Sequence, residues 1–481
     1  MRTHDSHGTT SKDNQLIRGE RASVPGSASA AGTRVRWGLH RWLLLVLLIA
    51  SSNLVNINDI LCLERGGGGN LLGLRDVSAL AVIVLGLARV TRELLGAATR
   101  NLYCIIAMAV LALTPLSVLV ALNGGSDVYR TAITSFSIAM WALVPAVAIL
   151  FHDPRDLGWA VACVKVIGVL VGWAIILQVI TGLPLAHYRP DFDLYGFIRL
   201  SPHGQTTMMV ALSLITAGLI FDRSQAGLKG LWPFALAAGP LIGMLLTQSR
   251  TLLVAYLGGT FAMVGAGLVW RPVSTRVLAL GWVAVAGAVA VTATIAIGSA
   301  SMEIDFADWF GERYSVLLNP TEDPDAAGRA GGRIGDVQAA LDAMSQAPLT
   351  GVGLGSLYDA DGVFRARGTS TGGHSVVAGF AARYGVPGLG VLSILYLAPL
   401  LSLGRFIRQR PSVSVAGIGL AGAAITLNVC SLFAGAYTGS YWTPQSAIAL
   451  GLLAGHEILA RGASRLPPDE SSAAHGRSAT Q

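Results

Sequence analysis

Four side chains in this sequence have the types and settings that chemistry needs: Arg199, Arg250, Arg333 and His374. An arginine fork bonds phosphate oxygens in pairs and keeps its charge at any relevant pH. A histidine, with an unperturbed pKa of about 6.5, takes a proton from a hydroxyl at neutral pH. Together these groups describe a site that binds an anion, steadies negative charge as it develops, and activates a nucleophile. His203, just after Arg199, is a second and weaker candidate base.

Two of the four lie in a long polar stretch held between apolar runs, Gly331 to Gly388. Arg333 opens a segment whose apolar residues Ile334, Val337, Leu341 and Met344 recur at helical spacing, and Pro348 ends it. A Gly351-Val352-Gly353-Leu354-Gly355 run follows, then His374, where apolar sequence resumes. The glycine run lacks the Gly-Lys-Ser/Thr of a phosphate-binding loop, so it is read as a tight backbone turn. Glu303, Asp305, Asp308, Glu322, Asp323 and Asp325 cluster without histidine or a calcium-loop pattern. They are read as a solvated acidic surface; no metal and no cofactor is expected. Taken singly, each arginine could snorkel to lipid head groups, and His374 could merely begin a helix.

The elements that must position these residues are membrane helices. The chain has 481 residues, 53% of them hydrophobic and only 13% charged, with a mean hydropathy of +0.59. Soluble domains carry about 25% charged residues, so the expected fold is an all-α polytopic membrane protein. The net charge is +7, but the basic residues are scattered between apolar runs rather than gathered on a face, which argues against nucleic acid. None of the four cysteines forms a C-x-x-C pair.

About twelve apolar runs have spanning length, at roughly 20 residues each. They lie near 40–58, 71–90, 101–122, 130–151, 158–180, 204–221, 230–248, 251–270, 277–299, 386–404, 413–434 and 441–460. With the N-terminus inside, the inner connections carry Arg89, Arg92 and Arg100, then Arg155, Arg223, Lys229, Arg271, Arg276, Arg405, Arg408 and Arg410. That is the positive-inside pattern. It implies a cytoplasmic tail at 1–36, read as disordered, a transmembrane domain at 37–462, and a cytoplasmic C-terminal tail at 463–481. A large, helical outer (periplasmic) loop at 300–385 then falls between helices 9 and 10. Arg199 sits in a second outer segment, Thr181 to His203, and Arg250 in a tight outer hairpin. Cations near hydrocarbon on the outer side need a reason, and the pyrophosphate of a membrane lipid supplies one.

At these residues the chain resembles the O-antigen ligase and O-antigen polymerase superfamily of bacterial membrane glycosyltransferases. The shared elements are Gly332-Arg333, Pro348-Leu349-Thr350-Gly351-Val352-Gly353-Leu354-Gly355, His374, and Gly385-Val386-Pro387-Gly388-Leu389. Ser249-Arg250 and Arg199 before Ser201-Pro202-His203 are similar to further family elements. The chain departs from the family at Val337-Gln338, where a tryptophan is frequent. It departs again at Ser375, where asparagine is frequent, and at Arg383-Tyr384, where a glutamate is common.

The resemblance implies a multi-pass enzyme of the bacterial cytoplasmic (inner) membrane, with its active site on the outer face. Its partners would be a polyprenyl-pyrophosphate-linked (undecaprenyl) glycan donor, a glycan or lipid-anchored glycan acceptor, and membrane lipids. Arg199, Arg250 and Arg333 would hold the pyrophosphate and His374 would be the base, without a metal. A lipid-linked glycan flippase and a metal-dependent lipid-linked glycosyltransferase stay open as alternatives, the latter with its acid at Asp59 or Glu64. Ligase and polymerase are not distinguished, and neither is the oligomeric state.

Overall fold

The computed structural model describes residues 30–54, 63–65, 69–183, 185, 204–222, 231–247, 249–270, 287–300, 308, 337–355, 375–408, 411–434, 437 and 442–463. Both expected tails lie outside these residues except at their helical edges. So do Asp59, the acidic cluster apart from Asp308, and the side chain of Glu64. The chain divides into two units, Met1–Leu39 and His40–Gln481. The described part of the first is the opening of a helix, residues 30–39.

The fold is helical. Its helices are α1 (Ala30–Ser52), α2 (Leu74–Ala88), α3 (Arg92–Ala98), α4 (Leu102–Asn123), α5 (Val128–Ala139), α6 (Leu143–Leu150), α7 (Pro154–Thr181) and α8 (Gln205–Phe221). Then come α9 (Leu231–Leu246), α10 (Arg250–Trp270), α11 (Gly287–Ala300), α12 (337–346), α13 (Val376–Arg408), α14 (Pro411–Phe433) and α15 (Trp442–Ala463). A single 3-10 turn, Met140–Ala142, carries α5 into α6. One small antiparallel hairpin, β1 (Leu63–Arg65) with β2 (Gly69–Leu72), interrupts the helices. Among the described residues, six helical segments are long and apolar enough to cross a membrane, and four shorter helices are apolar. The chain is therefore built as a multi-pass membrane protein.

Local sequence sets the helix boundaries. The side chain of Asn101 accepts from the amides of Tyr103 and Cys104, Asp127 from Tyr129, and Asp153 from Arg155, each satisfying a first-turn donor that would otherwise be left bare. Pro154 then occupies the first turn of α7, where its missing N–H costs nothing. Helices approach closely where glycine allows it. Gly172 and Gly243 bring α7 against α9, and Gly259 and Gly422 bring α10 against α14. In lipid there is no hydrophobic drive between helices, so such close van der Waals packing has to bind them.

Helix ends sort onto two faces, each fastened by polar groups. On one face Asp156, at the start of α7, takes Arg41 Nε at 2.6 Å and His40 Nε2 at 3.1 Å, and His40 Nδ1 lies 3.5 Å from Arg89. Glu457, near the end of α15, belongs to the same face. Its carboxylate accepts from Ser402 Oγ at 2.6 Å, Arg405 Nη1 at 2.9 Å and Asn101 Nδ2 at 3.1 Å. On the opposite face Gln445 Oε1 accepts from the amide and hydroxyl of Thr207, both at 2.9 Å, and its Nε2 donates to the Ser51 carbonyl at 2.7 Å. Each junction joins helix ends that alternation along the chain assigns to one side.

Candidate functional site

Of the four residues with chemical potential, Arg250 falls within the described structure; Arg199, Arg333 and His374 lie outside the described residues, as does His203. Arg250 is the first residue of α10 and half-buried. The helix ends on either side are closed: the Thr247 hydroxyl donates to the Met244 carbonyl at 2.6 Å, and the Ser249 carbonyl accepts from Leu252 at 3.1 Å and Leu253 at 3.3 Å. Thr247 and Ser249 are buried. A cation in the first turn adds to the positive end of the helix dipole rather than offsetting it.

The glycine turn of residues 351–355 is docked onto the bundle. Gly351, Gly353 and Gly355 have φ of +65°, +91° and +83°, which side-chain-bearing residues rarely adopt. A Cβ on Gly353 would meet Ala121 N at 2.5 Å and the Ser117 carbonyl at 2.6 Å, so the backbone lies directly against the end of α4. Leu354 N donates to the Ser117 carbonyl at 3.1 Å, and the Thr131 hydroxyl donates to the Leu354 carbonyl at 3.2 Å. The structural role expected of this run is what the geometry shows.

The same turn holds a break in α13. Gly385, at φ +62° and ψ −149°, divides that helix into an upper segment, 376–384, and a lower one, 386–408. A break exposes carbonyls that a continuous helix would satisfy. Val352 N fills one, donating to Ala382 O at 2.7 Å, and Ser117 Oγ fills another, donating to Arg383 O at 2.7 Å. Val386 N, released below the break, donates to the Pro348 carbonyl at 2.8 Å. Ser117 therefore bonds both the turn and the broken helix.

α12 packs on the upper segment through alanines. Ala340 meets Ala378 and Ala382, with Val337 and Val352 at the margin. The sequence pattern expects Ile334, Val337, Leu341 and Met344 to form the buried stripe. Val337 and Met344 are half-buried as that pattern expects, but Leu341 is exposed and Ala340 and Ala343 are the buried residues. Close approach to another alanine-lined helix favours small side chains, which turns α12 away from its bulkiest residue. Ile334 lies outside the described residues.

Sequence reasoning passed over several residues here. Arg383 is only 2% exposed, at the position where the resembling family commonly has an acid. Arg75, also buried, forms an ion pair with Asp76 at 2.6 Å and so adds no net charge. Ser117 and Thr131 carry the turn, yet isolated hydroxyls in apolar helices give no signal in a sequence. Among the described residues no cluster of His, Cys, Asp or Glu could hold a metal ion.

Comparison with known proteins adds a family. The model described as O-antigen ligase matches residues 234–393, from α9 through the glycine turn into lower α13. The resemblance drawn from the motifs is borne out over that third of the chain. No curated protein matches. A chain from a solved peptidoglycan synthase complex, reported for its coordination of polymerization and crosslinking, is similar at a TM-score of 0.37 and 19% identity. It covers 74% of this chain and 97% of that one, a likeness too slight to carry an argument.

Proposed function

We propose, from the premise that residues 234–393 match the O-antigen ligase family, that this chain is a membrane glycosyltransferase. It transfers a glycan from a polyprenyl-pyrophosphate donor to a sugar hydroxyl on the outer face of the cytoplasmic membrane, as a ligase or a polysaccharide polymerase. The observation that carries the reading is the span of the match, which takes in Arg250, the docked glycine turn and the break at Gly385.

In this reading about twelve helices span the bilayer. The face with Arg41, Arg89 and Arg405 is cytoplasmic, as the positive-inside rule requires, and residues 300–385 form the outer loop. Arg199, Arg250 and Arg333 hold the pyrophosphate. His374 takes the proton from the acceptor hydroxyl, whose oxygen bonds to the anomeric carbon as the bond from that carbon to the lipid pyrophosphate breaks. Attack opposite the leaving group inverts the anomeric centre. Pyrophosphate already leaves well, so fixed cations that meet its growing charge suffice without a metal.

The test is transfer by purified protein from a lipid-pyrophosphate glycan, with and without chelator. Wild-type protein should transfer in both conditions and His374→Ala in neither. Wild-type rates from His374→Ala would overturn the base assignment, and loss of activity in chelator would overturn the metal-free scheme. Deletion followed by glycan gels separates the two acceptors. Lipid-linked polymer that never reaches its outer acceptor marks a ligase, and single repeats without long chains mark a polymerase.

A further inference from the structure

Leu349 is 74% exposed in the turn between α12 and the glycine run, the most exposed large apolar side chain of the described residues. No charged residue accompanies it from Ala347 to Gly355. Its position is fixed by its neighbour, because the Pro348 carbonyl accepts from Val386 N at 2.8 Å. Leu349 therefore sits beside the first residue of lower α13.

That segment has a definable depth. Arg405, which pairs with Glu457 on the charged face, lies 19 residues beyond Val386 (405 − 386). At 1.5 Å per residue the rise is about 29 Å, close to the roughly 30 Å of a hydrocarbon core. With Arg405 at one boundary, Val386 lies at the other. The exposed large apolar side chains between them, Val386, Ile394, Leu397, Leu400 and Leu401, recur at helical spacing and share one face. In a spanning helix that face meets lipid. Leu116 and Leu119, exposed near the end of α4, flank the same level, and the glycine turn lies against that end of α4.

We propose that Leu349, with Val386, inserts into the membrane leaflet opposite the Arg405–Glu457 face, so that the root of the loop between α11 and α13 is anchored in lipid acyl chains. The occupant is lipid because Leu349 adjoins Val386 at the head of the lipid-facing stripe of lower α13, whose exposed Ser393 turns its hydroxyl back onto the Leu389 carbonyl at 2.8 Å. The inference rests on the spanning reading of that segment and not on the glycan-transfer reading.

The experiment uses the full chain in lipid vesicles, with Cys62, Cys104, Cys163 and Cys430 changed to alanine. Single cysteines are introduced by Leu349→Cys, Val386→Cys and, as an aqueous reference on α12, Ser345→Cys. A membrane-impermeant maleimide should label positions 349 and 386 about tenfold or more slowly than 345, since hydrocarbon excludes the reagent. A bimane at 349 or 386 should be quenched by brominated acyl chains, and one at 345 should not. Labelling at 349 and 386 as fast as at 345 would overturn the proposal. Slow labelling without bromine quenching would also overturn it, since protein rather than lipid would then cover the site. Transfer activity is read separately, so its loss bears on the glycosyltransferase reading alone.

Discussion

Arg250 and Glu457 are both charged residues at helix ends, and they should fail in different ways. Glu457 is 3% exposed and accepts from three partners drawn from α4 and α13. Glu457→Ala should lower stability by about 2 kcal/mol, since Ser402 and Asn101 lose a buried acceptor. Arg405 and Arg461 are partly exposed and add little to that figure. A fall in thermal midpoint in detergent, with kcat retained in the folded fraction, is the expected signature. Arg250 should behave oppositely. Arg250→Lys keeps the charge but loses the planar fork, so kcat should fall by roughly 10- to 100-fold with little change in melting. Wild-type kcat in Arg250→Ala would remove this arginine from the donor site.

At the scale of elements, the glycine turn is a fastening whose geometry tolerates no Cβ. Gly353→Ala combines φ +91° with a clash against the backbone of α4. It should free the turn from Ser117 and abolish transfer while far-ultraviolet circular dichroism stays unchanged. The cost should be about 2 kcal/mol or more, the range for strain at a special backbone position. Much of this level could be read from the sequence. Gly-x-Gly-x-Gly after Pro348 announced a tight turn. The facing of α12 could not be read. Helical periodicity favours Leu341, but the choice between Leu341 and Ala340 depends on the alanines of a helix almost forty residues later. Arg383 was visible only as a departure from a resembling family; its burial follows from tertiary packing.

For the whole molecule, the sorting of helix ends onto two faces makes a prediction about topology. In intact cells an impermeant thiol reagent should reach Asn123→Cys, the last residue of α4, on the Gln445 face. It should not reach Thr99→Cys, beyond α3 on the Glu457 face. The reverse result would invert the assignment of the active face. An expected direction along the chain was legible, because arginine recurs at alternate connections. The polar fastenings were not, because Gln445 and Ser51, or Asn101 and Glu457, are separated by more than 350 positions.

Glu457 also has a bearing on biogenesis. Ribosomal synthesis delivers Asn101 first, then Ser402 and Arg405, and only afterwards α15, with the carboxylate that joins them. Tyr103 and Ser402 join α4 to α13 directly at 2.7 Å, and the carboxylate arrives last, so late translation completes the buried junction on that face. A chain truncated after residue 441 should insert, yet be cleared in pulse-chase much faster than one truncated after residue 463. Equal lifetimes for the two would show that the knot closes nothing.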